Sequence, residues 1–141
     1  MHDLEALWWV SLYFLFTRTV EEDPTCATDD SAARAEQLQR QCRAARLLFC
    51  DFNKRWDTMV WEGCFRDEVQ NLQARFQEWG ADLEEVRGHL VQHYRHVEED
   101  VESRAWDVTA NVYYACAEVW GGMSFDMREE DVHVQHLDIF G

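Results

Sequence analysis

Three histidines, His89, His93 and His96, stand at i, i+4 and i+7, a spacing that places imidazoles within about 60° on one helix face and suits a metal ion. Their face lies about 90° from the apolar stripe of the same segment, and spacing supplies no further ligand and no carboxylate to orient the rings. They read as histidines on a solvated flank. His133 and His136 are separated by two residues in an acidic C-terminal stretch, where ordering the chain around a metal would cost more than two ligands return.

The five cysteines, Cys26, Cys42, Cys50, Cys64 and Cys116, are odd in number and contain no Cys-x-x-Cys pair. Neither a closed disulfide framework nor a zinc ribbon fits, and reduced thiols inside a cell fit best. Carboxylates cluster at Glu98-Glu99-Asp100 and Glu129-Glu130-Asp131, but consecutive acids on a helix point in different directions and make no acid/base pair. The chain has no Gly-x-Ser-x-Gly elbow, no Gly-x-Gly-x-x-Gly loop, no Val-Ala-Ile-Lys strand, no His-Arg-Asp loop and no Asp-Phe-Gly motif. Phosphoryl transfer needs positioned Mg²⁺, a phosphate-binding Lys and a hydroxyl-orienting Asp. None can be assigned, so the chain is expected to be no enzyme and to hold no metal and no cofactor.

The formal charge of −15 leaves no basic stripe for phosphates and sets the surface against nucleic acid and anionic lipid. Hydrophobic residues make up 47% of the 141, aromatics 13%, and there is one Pro with six Gly, a composition for long packed helices in one domain. A first apolar segment from Leu4 to Phe16 would span only about 20 Å as a helix, short of a bilayer core. Asp3 precedes it, Glu5 falls at its start and Arg18 follows, the reverse of a signal peptide. A soluble, intracellular protein is expected, with neither membrane nor nucleic acid as partner.

The elements that must position these groups follow from periodicity. Helix one runs from about Asp3 to Arg18, and Glu21 to Asp30 reads as an acidic connection. Ser31 or Asp30 caps a second helix with Leu38, Cys42, Ala45, Phe49, Phe52 and Trp56 on one core-facing stripe. A third stripe, Phe65, Val69, Leu72, Phe76 and Trp79, stops at Gly80; Asp82 then caps a fourth helix carrying Leu83, Val86, Leu90, Tyr94, Val97 and Val101. A fifth runs from Trp106 to Gly121-Gly122, although Val112-Tyr113-Tyr114 within it also tolerates a strand. The expectation is an all-α single domain of about five helices over residues 1–125, followed by an acidic tail, 126–141, that is extended or disordered.

Helix one is apolar nearly all round, so neighbours are needed on every face. Its opening, His2-Asp3-Leu4-Glu5-Ala6 before an aromatic run, resembles the central F helix of the fungal-type protein kinases, whose signature there is close to His-Asp-Leu-Glu-Ser. Ala6 stands where that family has Ser, and Trp8 where ordinary kinases have Gly. The resemblance implies that the chain is part of a kinase C-lobe, beginning partway through it, and that intact relatives are protein kinases. It also implies that His2, Asp3 and Glu5 are structural anchors, Asp3 holding catalytic-loop backbone in such relatives. Separated from the ATP-binding and transfer motifs, this chain would be non-catalytic. The other reading is a helical protein-interaction module that associates with itself or a protein partner through helix one, whose Trp9, Val10, Tyr13 and Phe14 are expected to remain uncovered.

Overall fold

The computed structural model describes residues 2–20, 31–99, 105–123 and 134–139. Six helices are present among them: α1 (His2–Thr17), α2 (Ser31–Cys50), α3 (Phe52–Val60), α4 (Cys64–Val69), α5 (Ala74–Glu99) and α6 (Ala105–Gly122). Two short strands, β1 (Arg18–Val20) and β2 (Val134–His136), pair antiparallel. The architecture is all-α with one small ribbon, and none of the described helices is long and apolar enough to cross a membrane.

α1 is the centre of the core. Leu4, Trp8, Trp9, Leu12, Leu15 and Phe16 are all buried, and on the wheel they fill one continuous arc. α2 and α5 pack against it, and α6 packs on α5. The Trp8 ring meets Phe65 of α4 edge-on at 5.4 Å, and its indole N–H donates to the Leu83 carbonyl of α5 at 2.7 Å. That bond lets the largest core side chain keep its polar atom satisfied. Coverage is one-sided, however: Leu7, Val10 and Phe14 stand about half exposed. The expectation of neighbours on every face is corrected, because the surrounding helices reach only one side of α1.

α2 does not continue to Trp56. The Asp51 carboxylate accepts the backbone N–H groups of Asn53 and Lys54 at 3.0 and 3.1 Å, capping a new helix, α3, and resetting the phase of the stripe. Phe52 and Trp56 therefore leave the core and are 79% and 60% exposed. The buried edge of α2 is Gln41, Ala44, Ala45 and Leu48. Gln41 is fully buried, and its amide donates to the carbonyls of Phe16 and Arg18 at 3.1 and 2.7 Å, satisfying acceptors that the end of α1 leaves open.

Gly80 was expected to end a helix and Asp82 to cap the next; both lie inside α5, which runs unbroken from Ala74. A Cβ at Gly80 would sit 2.6 Å from Cγ1 of Val69, so this glycine permits the close approach of α4 to α5. The break falls earlier, after Val69, where Leu72 turns back to bond the Val69 carbonyl. Phe65, Val69, Leu72 and Phe76 are all buried as their spacing predicts.

Arg87 of α5 is a buried cation. Its guanidinium forks onto Glu84 with two 2.7 Å bonds and gives a third to the Met59 carbonyl of α3 at 3.0 Å. α3 and α4 are joined by the Lys54–Glu68 ion pair at 2.8 Å. Residues 134–139, in the stretch expected to be tail, lie on the domain: Leu137 donates its N–H to the Thr17 carbonyl, Arg46 bonds the Ile139 carbonyl, and Ile139 is buried.

Candidate interaction surface

The outer side of α1 is built by local sequence. Asp3, Leu7, Val10 and Phe14 follow one another at spacings of four, three and four residues, the a/d pattern of a coiled-coil seam, and fall within about 60° on the wheel. Asp3 is exposed, and Leu7, Val10 and Phe14 are 48%, 49% and 50% exposed. At the far end, the Arg18 guanidinium lies 5.6 Å from the centre of the Phe14 ring. The face thus runs from an acid, over three large apolar side chains, to a base.

Of the four residues expected to be uncovered on this helix, Val10 and Phe14 lie on the face. Tyr13 is half-buried, its ring edge-on to Phe49 of α2 at 5.4 Å. Trp9 is buried against Trp8, 4.7 Å away, with the Arg55 guanidinium 4.3 Å from its ring centre. Their placement as uncovered surface is corrected, because α2 and α3 close over that side. Leu7 was not anticipated, although its a/d spacing with Val10 and Phe14 was the signal that could have found it.

His2 begins α1, and Asp3 is exposed in its first turn. Glu5 does tie elements together. Its carboxylate accepts the Tyr94 hydroxyl of α5 at 2.6 Å and the Trp9 indole N–H at 3.4 Å. Burial, then the carboxylate, raises the Tyr94 phenol far above its usual range, so it remains a donor. Glu5, Trp9 and Tyr94 border a groove of about 620 Å³ that also takes in Arg55, Trp56 and Arg95.

The three histidines of α5 separate in environment. His89 is half-buried and 3.9 Å from Glu85, His96 is exposed, and His93 is buried with its Nδ1 unpartnered among the described residues. His93 is therefore no solvated-flank residue. Burial lowers its pKa, with nearby positive charge acting in the same direction. Among the described residues no three His, Cys, Asp or Glu side chains are grouped as metal ligands. His133 lies outside the described residues, as do Asp100, the acidic run Glu129 to Asp131 and the thiol Cys26. Cys42, Cys50, Cys64 and Cys116 are free thiols, and burial raises the pKa of Cys116.

No protein family, curated protein or solved structure matches the chain.

Proposed function

We propose that this chain is a non-catalytic helical protein-interaction module that associates through the outer face of α1. The observation that carries this reading is the exposed apolar seam Leu7, Val10 and Phe14 on a helix whose opposite side is buried in the core. Each such side chain, if covered, contributes roughly 1 kcal/mol or more, and contiguous exposure of this kind marks association surfaces. The module carries no nucleic-acid or membrane partner: its charge of −15 opposes anionic surfaces. The free thiols fit an intracellular setting.

The likeness of His2 to Glu5 to the F helix of fungal-type protein kinases supports a related reading, in which this module is a piece of a kinase-like C-lobe without its chemistry. In that setting the outer face of α1 would meet other parts of such a lobe. The two readings share the same surface.

The test is cross-linking and light scattering of the whole chain beside a Val10→Glu, Phe14→Ser variant. Association that is present in the wild type and lost in a variant with unchanged circular dichroism supports the module. Its persistence in that variant would remove α1 from the interface. A saturable thermal shift with ATP and Mg²⁺ would overturn the non-catalytic reading.

A further inference from the structure

The outer side of α1 is self-complementary in the order of its apolar and charged side chains. In sequence its members are arranged evenly about the point between Val10 and Ser11, with Leu7 and Phe14 equally far on either side; beyond them Asp3 in the first turn is answered by Arg18, the first residue of β1, whose guanidinium reaches back to 5.6 Å from the Phe14 ring centre. A two-fold axis through that point and perpendicular to the helix would set Leu7 against the partner's Phe14 and Val10 beside the partner's Val10. It would also set Asp3 against the partner's Arg18. The opposite orientation, with helices parallel, would set Asp3 against the partner's Asp3 and bring the arginines together. Charge therefore selects the antiparallel arrangement, and antiparallel helix dipoles favour it as well.

Resting on the reading of α1 as an association surface, we propose that its occupant is a second copy of this chain, α1 lying antiparallel on the partner's α1 in an isologous dimer. Such a contact is closed by its own symmetry, since each copy supplies the same patch. Nothing among the described residues obstructs the face: Leu7, Val10 and Phe14 stay about half exposed, and Arg18 already leans over Phe14. The seam is about two heptads long, so the interface falls below the roughly 1,200 Å² of stable complexes and the dimer is transient. Two copies of charge −15 also repel, which sets the useful ionic strength at about 0.15 M, where the screening length is roughly 8 Å.

Sedimentation equilibrium of the whole chain over a concentration series reads the proposal directly. Asp3→Lys and Arg18→Glu should each weaken dimerisation by about tenfold, since each sets like charges together twice per dimer, and the double reversal should restore most of it. Val10→Cys should form an intermolecular disulfide on mild oxidation, and mass spectrometry should place that bond between position 10 of one copy and position 10 of the other. Tyr114→Cys, at an exposed site on α6, should not do so at the same rate.

Dimerisation that Val10→Glu abolishes, but that ignores the charge reversals and gives no Val10→Cys cross-link, would overturn the antiparallel register while leaving α1 as the association surface. A wild-type chain that is monomeric at every concentration would overturn the second copy as occupant. In that case a different protein whose cross-linking to the chain is lost in Val10→Glu would sustain the module reading alone. Loss of folding is a separate readout, because the dichroism of each variant is compared with that of the wild type.

Discussion

Arg87 shows most directly how a single residue is held by its surroundings. A guanidinium this deeply buried is stable because both of its sides are matched, by the Glu84 carboxylate and by the Met59 carbonyl. Arg87→Ala should therefore cost about 3 kcal/mol, read from urea unfolding, because it strands the largely buried Glu84 charge. Replacing both partners with apolar residues, Arg87→Met with Glu84→Leu, should recover most of that loss. His93 makes a pH-dependent contribution of the opposite kind. Its pKa is lowered on folding from an ordinary value of 6.5, so the unfolded chain takes up the proton first. The stability tied to neutral His93 is complete above pH 6.5 and is lost as the pH falls below it, until the folded pKa has been passed. In a series of unfolding curves from about pH 8 to pH 5, His93→Phe should show a shallower acid-side decline than the wild type.

At the scale of elements, α4 and α5 meet across a glycine. Gly80→Ala should gain about 1 kcal/mol of helix propensity but lose more to the clash with Val69, for a net loss of roughly 1 to 2 kcal/mol. In a Val69→Ala background the same substitution should become neutral or stabilising, a sign change that a double-mutant cycle would read. α1 offers a parallel contrast between its two sides. Trp9→Ala should cost about 3 kcal/mol or more because its ring is enclosed by Trp8, Phe49 and Arg55. Val10→Ser, on the outer side, should cost under about 1 kcal/mol and act on association instead. Thermal unfolding of the two variants at equal concentration separates these roles.

For the whole molecule, the telling property is that the helix at the centre of the core also carries an exposed apolar seam. α1 touches α2 and α5 and receives the β1–β2 ribbon at its end, yet the arc carrying Leu7, Val10 and Phe14 stays open. The domain closes around α1 without enclosing it. Light scattering should accordingly show association that depends on concentration and disappears on Val10→Glu, while the far-ultraviolet dichroism stays the same.

Fold class was legible in the sequence because periodic apolar spacing needs no knowledge of neighbours: the stripes Phe65 to Phe76 and Leu83 to Leu90 face the core as their spacing requires. The end of α6 at Gly121-Gly122 was legible for the same kind of local reason. Breaks were less so. Asp51 is a cap only because its carboxylate turns back onto Asn53 and Lys54, and Gly80 is a packing glycine only because Val69 is beside it. Of the α1 surface, Val10 and Phe14 were readable from their apolar character on a helix, since a helix apolar all round must expose whatever its neighbours fail to reach. Which arc stays open was decided by tertiary structure: α2 and α3 close over Trp9 and Tyr13, leaving Leu7 with Val10 and Phe14 outside. Sequence alone carried the helix, its apolar girdle and the charges at its two ends; the placement of α2, α3 and α5 chose the face on which those features became a surface.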